Sequence, residues 1–273
     1  MSRALVAAIL AAWAAAYVIG WWRLARRADR PPPTWRAAAA MTALAAVATA
    51  LLSPLDALAH ERFSAHMVQH LLLLMVAAPL LLVANPFPVL LWALPAPARI
   101  ALRPLFTRHG LVRRGLRALT DARRAWGLFA ATVWGWHLPA LYDLALGAES
   151  VHALEHGTLF AAALLFWWPL LDPAPHVRAT VRPAVAVVYV VLAGFQSAAL
   201  GLGLMLWPTV LYASYANAGG SLDDQAWGGV LMWAVSGVVD MAAVMALVWR
   251  FLAAADRRRT HGFLDPPRLM REN

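Results

Sequence analysis

Six histidines are concentrated where apolar stretches of the sequence begin or end. They are His60, His66, His70, His137, His152 and His156. Imidazole is costly to bury inside a membrane protein unless it has partners. Because neutral imidazole is the commonest metal ligand and binds copper, zinc and iron, several histidines at one depth predict a metal site.

The spacing of these histidines places them on shared helix faces. His66 and His70 are four residues apart in HMVQH, and His152 and His156 are four apart in VHALEH, so each pair lies on one helix face. His137 lies in WGWHLP, near the end of a third apolar stretch. The helical rise places these five residues within roughly 10 Å of one membrane surface. We predict that His66, His70, His137 and His156 converge on one metal ion, with His152 and His60 as further candidate ligands.

Other side chains near these histidines could complete the site. His60 lies in the preceding loop and could close over it. Met67, Met205 and Met232 fall towards the same helix ends, and thioether ligands favour Cu(I), although most Met residues in an apolar chain serve packing. Glu155 lies between the histidines of the second pair, and its helical phase predicts that it points elsewhere.

The last apolar stretch carries further polar residues. Asp224 fits a helix N-cap, and Gly228 and Gly229 fit close helix packing. Asp240 lies about midway along the stretch, where an unpaired carboxylate is costly. We therefore expect it to be protonated or hydrogen-bonded to Gln196 or a serine.

The composition predicts an integral membrane protein. Hydrophobic residues make up 62% of the 273 residues, and charged residues only 14%, compared with about 25% in soluble domains. The net charge is +9, every basic residue is Arg, and most arginines lie between apolar stretches. They indicate topology signals and lipid headgroup contacts, not nucleic-acid binding. Without cysteine, disulfides and thiolate metal sites are excluded.

Seven stretches are long and apolar enough to be spans of ~20 residues. They lie near residues 4–22, 36–52, 65–84, 125–146, 151–171, 183–206 and 226–250. The prolines of 86–98 exclude a regular span there. The fold class is thus an all-α polytopic membrane helix bundle, one domain over residues 1–256, followed by a basic tail over 257–273.

The arginines also predict the orientation of the bundle. They are concentrated in the alternate connections 23–36, 99–124 and 178–182 and in the tail. Because cytoplasmic loops carry the excess of Lys and Arg, the N-terminus is predicted outside and the C-terminus in the cytoplasm. The connector 99–124 fits either a basic amphipathic helix on the inner leaflet or a solvated segment.

Four blocks of the sequence resemble a known family. They are FSAHMVQHLLLLMVAAPLL, WGWHLPALYDLAL, HALEHGTLFAAALLFWWPLL and LYASYANAGGSLDDQAWGGVLMW, between residues 55 and 250. In this order they are similar to the multi-spanning CtaG family of cytochrome c oxidase assembly factors. The residues that match the family's polar motifs are His66, Gln69, His70, His137, His152, Glu155, His156, Asp224 and Gln225. The last block departs from the family at Ala226, where a second Gln is common.

The resemblance implies a multi-pass protein of the bacterial plasma membrane that helps to build the oxidase and handles copper for it. The leading hypothesis is a non-enzymatic factor that binds copper and supplies it to cytochrome c oxidase subunits. Its ligands are the six histidines, with Met67, Met232, Asp224 and Gln225 as possible accessory residues. Two alternatives stay open: a haem protein with histidine axial ligands and, less favoured, a membrane-embedded zinc hydrolase.

Overall fold

The structure is a computed structural model that describes residues 2–27, 32–107, 109–178 and 181–264. All regular structure in these ranges is helical. The elements are α1 (Arg3–Ala25), α2 (Thr34–Leu52), α3 (Pro54–Glu61), α4 (Phe63–Leu71), a π-helical segment (Leu72–Ala77), α5 (Ala78–Val83), α6 (Pro86–Ala93), α7 (Ala96–Leu102), a 3-10 turn (Arg103–Phe106), α8 (Leu111–Leu119), α9 (Ala122–Trp136), α10 (Pro139–Gly147), α11 (Glu149–Leu171), α12 (Pro183–Leu206), α13 (Ala213–Asn217) and α14 (Leu222–Leu264). The predicted all-α membrane bundle is thereby confirmed.

Six helical segments of the described chain are long and apolar enough to cross a membrane. They are Arg3–Ala25, Thr34–Leu52, Phe63–Val83, Glu149–Leu171, Pro183–Leu206 and Leu222–Ala253. Each corresponds to one predicted span. The count of seven and the orientation of the termini stay predictions.

The remaining predicted span, 125–146, is divided into α9 and α10. Leu138 between them has an extended backbone, with φ −67° and ψ 130°. Pro139 explains the break, because proline lacks an N–H and disfavours helical geometry in the residue before it. The 15 residues of α9 rise only ~22 Å, which is less than the ~30 Å of bilayer hydrocarbon.

One end of the bundle, here called the histidine end, contains the starts of α4, α11 and α14 and the ends of α2, α9 and α12. Side chains join these termini across the bundle. The Arg3 guanidinium donates to the Ser53 carbonyl at 2.9 Å, and the Phe63 backbone N–H donates to the Asp224 carboxylate at 2.7 Å. The histidine end is the end predicted to face outward.

Arginines tie the loops together at the opposite end. Arg23 donates to the Ala93 carbonyl at 2.9 Å, and Arg113 of α8 donates to the His176 carbonyl at 2.8 Å. The connector 99–124 is not one helix, since it is divided into α7, the 3-10 turn and α8. The predicted tail 257–273 begins within α14. Part of the predicted topology lies outside the described residues. This part is residues 265–273 of the tail, with Arg268 and Arg271, and the loop residues Arg30 and Arg108.

The packing of α12 against α14 depends on glycine. A Cβ atom on Gly229 would lie 2.4 Å from the Gly201 carbonyl oxygen, and one on Gly228 would lie 2.3 Å from the Phe63 ring. The prediction of close packing at this glycine pair is confirmed. Without Cβ atoms the two backbones approach closely, as small residues allow in membrane bundles.

Of the two alternatives for Asp240, the hydrogen bond to Gln196 or a serine is wrong, whereas protonation stays a prediction. Gln196 instead accepts from the Trp134 indole at 2.8 Å and donates to Ser197 at 3.4 Å. Both Asp240 carboxylate oxygens are buried without a hydrogen-bond partner among the described residues. The reason is geometric: Asp240 faces Gly194, where an added Cβ would lie 3.2 Å from Oδ2.

Gly229→Ala should destabilise the bundle by about 1–3 kcal/mol, because the added methyl group overpacks the α12–α14 contact. Thermal unfolding of the purified protein in detergent measures the effect. Gly237→Ala is the matched control, since a Cβ on Gly237 of the same helix meets nothing within 4 Å. Equal melting temperatures for the two variants would contradict the packing argument.

Candidate metal centre

Four side chains of α4 and α11 form a compact group of potential metal ligands. They are His66 and His70 from α4 and Glu155 and His156 from α11, and one ligand atom from each lies within 4.8 Å of all the others. All four residues are buried, and His66 and Glu155 are 0% exposed. We call these residues the His/Glu group.

The distances within the His/Glu group are too long for direct hydrogen bonds between charged partners. The Nε2 atom of His66 lies 3.6 Å from Glu155 Oε2, and Nε2 of His70 lies 3.5 Å from Glu155 Oε1. Charge-assisted N–H···O bonds are about 2.7–2.9 Å long. A tetrahedral ion with bonds of about 2.0–2.1 Å separates its ligand atoms by roughly 3.3–3.5 Å, so the observed spacing fits a bridging cation.

The prediction that Glu155 points away from the histidines is wrong. On α11, His152, Glu155 and His156 occupy positions i, i+3 and i+4, which share one helix face. The i,i+3 spacing of His152 and Glu155 is the local signal from which the position of the carboxylate could have been predicted.

The other predicted histidines lie around the His/Glu group. The ring of His152 is centred 4.3 Å from that of His156 and 5.0 Å from that of His60. The His137 ring is centred 5.9 Å from that of His70. The structure thus brings all six histidines to one end of the bundle, while only three of them share the compact group with Glu155.

A cavity of about 200 Å³ connects the histidine end with this region. His60, His152 and His156 line it together with Asp56, and Arg3 lies at its rim in an ion pair with Asp56. His60 is exposed, whereas His156 is buried. The cavity therefore brings three histidines and a carboxylate together within a mostly apolar lining, and one of these histidines belongs to the His/Glu group.

Two tyrosine hydroxyls lie beside Nδ1 of His66, at 2.8 Å for Tyr142 and 3.3 Å for Tyr215. The Tyr215 hydroxyl donates to the Ala59 carbonyl at 2.6 Å, so its proton is not available to His66 or Tyr142. The Tyr142 hydroxyl lies 2.8 Å from His66 Nδ1 and 3.5 Å from the Tyr215 oxygen. Two arrangements are compatible with these distances: Tyr142 donates to His66 Nδ1, or His66 donates from Nδ1 to Tyr142 while Tyr142 donates to Tyr215. A metal ion bound at Nε2 requires the second arrangement.

This arrangement leaves the Nε2 lone pair of His66 directed at Glu155, as metal ligation requires. Burial raises the pKa of the Tyr215 phenol above its usual value. Tyr215 therefore remains a protonated donor at neutral pH, and the chain of hydrogen bonds is preserved. Tyr142 and Tyr215 are positioning residues for His66.

Asp224 caps α4, not α14 as predicted. Its carboxylate accepts from the backbone N–H of Phe63 at 2.7 Å and of Ser64 at 3.4 Å, and from the Ser64 hydroxyl. The N–H of Asp224 itself donates to the Ser221 hydroxyl at 3.1 Å. A contact over such a long sequence separation cannot be read from local capping rules. Asp224 thus fixes the start of the helix that carries His66 and His70.

Two glutamine side chains of the motifs hold backbone segments in place. Gln225 accepts from the Leu211 N–H at 2.7 Å and donates to the Leu204 carbonyl at 3.1 Å. Gln69 donates to the Ala50 carbonyl at 2.7 Å, which joins α4 to α2. The predicted accessory residues Asp224 and Gln225 therefore position backbone outside the His/Glu group, whereas Met67 and Met232 line a cavity beside His70.

The fold and site together define a multi-pass helical membrane protein with a buried three-histidine, one-carboxylate group. The family model described as cytochrome c oxidase caa3 assembly factor (CtaG) matches residues 15–254. The chain belongs to this family of cytochrome c oxidase assembly factors. No curated relative and no solved structure matches the chain at a significant level.

Tyr142→Phe should weaken metal binding about 10- to 100-fold, as loss of an outer hydrogen bond to a ligating histidine does. Competition between the purified protein and a chromophoric chelator for Zn²⁺ measures the change. Tyr189→Phe is the control, because this buried hydroxyl donates to the Phe166 carbonyl away from the group. The tautomer assignment fails if both variants bind Zn²⁺ as tightly as the parent protein.

Proposed function

We propose that this assembly factor is not an enzyme but binds copper at the His/Glu group and supplies it to a cytochrome c oxidase subunit. In this proposal the protein lies in the bacterial plasma membrane with the histidine end facing outward. The observation that carries the proposal is the buried Glu155 carboxylate. Both of its oxygens lack a hydrogen-bond partner among the described residues.

An isolated carboxylate in an apolar interior is unfavourable by several kcal/mol or more, so it requires a cation or a proton. The nearest basic groups are the imidazoles of His66 and His70, whose facing nitrogens also lack hydrogen-bond partners. A bound metal ion satisfies the carboxylate and the imidazole lone pairs together. A proton on Glu155 can be shared with one imidazole nitrogen at most and leaves the other oxygen and nitrogens without partners.

Copper is favoured over other first-row metals by the donor set. Three imidazoles and one carboxylate are nitrogen and oxygen ligands, for which Cu²⁺ has the highest affinity in the divalent series. The family's role in building an oxidase that contains copper supports the same choice. Supply to a partner requires access to the site, and the cavity lined by His60 and His152 provides it.

The geometry disfavours the two alternatives. A haem macrocycle needs an open slot between its axial ligands, whereas the His66 ring contacts those of His70 and His156 edge-on, with centroids 4.4 and 5.5 Å apart. A zinc hydrolase needs a general base beside its ligands. Glu155 instead faces His66 with one oxygen and His70 with the other, so it lies within the ligand set.

His156→Ala and Glu155→Gln should each lower oxidase activity in membranes at least ~10-fold under copper limitation, because each removes a ligand. Oxidase activity, haem absorption spectra and the abundance of the variant protein are measured together. His176→Ala is the control, since this exposed side chain pairs with Asp172 at the opposite end.

Metal analysis of untagged protein from copper-replete cells completes the experiment. We expect about one copper ion per chain, lost in both ligand variants and retained in His176→Ala. Abundant ligand variants with full oxidase activity would show that the group is structural. Zinc at full occupancy in the parent protein would reject copper as the cargo.

A further inference from the structure

A second, smaller cavity lies beside His70 and is lined by a different set of donors. Its volume is about 20 Å³, which is close to the space of one water molecule or one ion. The nitrogen and sulfur donors on its wall are Met67, His70, Met75, His137 and Met232, and the hydroxyls of Ser197 and Ser236 also line it. The cavity therefore lies where α4, the π-helical segment, the end of α9, α11, α12 and α14 meet.

The hydrogen bonds of His137 fix its tautomer. Nδ1 lies 2.7 Å from the carbonyl oxygen of Val133, and a carbonyl only accepts. Nδ1 therefore carries the proton, and Nε2 presents a lone pair. The Tyr212 hydroxyl donates to the His137 carbonyl at 3.1 Å, which holds the residue from the other side.

The Nε2 lone pair of His137 is an unused ligand. The residue is 6% exposed, and Nε2 has no hydrogen-bond partner among the described residues. A histidine that served only to cap the Val133 carbonyl would gain nothing by burying its second nitrogen. Since His137 lies on the wall of the cavity, this lone pair is available to an ion there.

We propose that this cavity is a second metal site, which takes a soft monovalent ion, Cu(I), through His137 Nε2 and the thioethers of Met67 and Met232. Thioether sulfur selects Cu(I), whereas the carboxylate of the His/Glu group suits divalent ions. The second site goes beyond the proposed function, because its ligands and metal preference differ from those of the His/Glu group.

His70 belongs to both sets of lining residues. Its ring is centred 5.3 Å from that of His156 and 5.9 Å from that of His137. Ions in the two sites would thus be separated by one imidazole side chain. Met67 and Met232 are only 1% and 8% exposed, so they lie away from bulk water. This environment favours a weakly hydrated ion.

The test uses Ag⁺, a redox-inert substitute for Cu(I), on the full-length protein in detergent. The His/Glu group is first loaded with Zn²⁺, and Ag⁺ is then titrated by calorimetry. We expect one Ag⁺ per chain, with sulfur ligands in its X-ray absorption spectrum. The double variant Met67→Leu/Met232→Leu, which conserves side-chain volume, should bind Ag⁺ at least ~10-fold more weakly. His137→Ala should have the same effect.

Met241→Leu and Met245→Leu are the matched controls, because both side chains are exposed on α14. The proposal is overturned if the Zn²⁺-loaded protein binds no Ag⁺ through sulfur, or if the double variant binds it as tightly as the controls. Repeating the titration in His156→Ala separates the two sites. Loss of Zn²⁺ binding with retained Ag⁺ binding supports two separate sites. Retained Zn²⁺ binding in this variant rejects only the proposed His/Glu site, and loss of Ag⁺ binding rejects only this second site.

Discussion

The buried carboxylate of Glu155 is the constraint on which the arrangement of this bundle depends. A glutamate that is 0% exposed between two apolar helices is tolerated only with a bound cation or a proton. The surrounding histidines could hold a cation beside it as ligands or exchange a proton with it. Removing the imidazoles would leave the buried carboxylate without a partner, and removing the carboxylate would leave several imidazole nitrogens without one. The group therefore functions as a unit.

The precision of this unit comes from contacts outside it. Asp224 of α14 fixes the first turn of α4, and Gln69 fastens the same helix to α2. The π-helical segment after α4 leaves backbone groups to satisfy, and the Trp167 indole of α11 donates to the Leu74 carbonyl at 3.0 Å. These hydrogen bonds hold α4 and α11 in one register, so the two ligand-bearing faces meet at the same depth.

The sequence allowed the helical class, the family and the location of the histidines to be predicted, because hydropathy and i,i+4 spacing are local properties. The break at Pro139 was also visible locally but was outweighed by the apolar character of 125–146. The roles of Glu155 and Asp224 were misjudged for different reasons. The prediction for Glu155 failed because the helix face of His152 and His156 also includes position i+3. The Asp224 cap depends on tertiary structure and has no local signal.

The hydrogen-bond partner of each imidazole nitrogen could not be predicted from the sequence. Whether His137 donates from Nδ1 depends on one carbonyl of the preceding turn, and the tautomer of His66 depends on two tyrosines from α10 and α13. These protons decide which nitrogens remain as ligands. Hydropathy can locate an imidazole within a helix end, but it cannot tell which side of the ring is free.

A protein that hands on a metal ion must bind it without burying it irreversibly. Binding to the folded state stabilises that state by mass action, so a loaded bundle is more stable than an empty one and release needs a route that leaves the helices packed. The cavity at the histidine end supplies such a route, because His156 lines it at depth and exposed His60 lines it near the surface. In the proposed function, an ion would exchange ligands along the cavity wall while Asp224 and the glycine contact between α12 and α14 keep the helices in place.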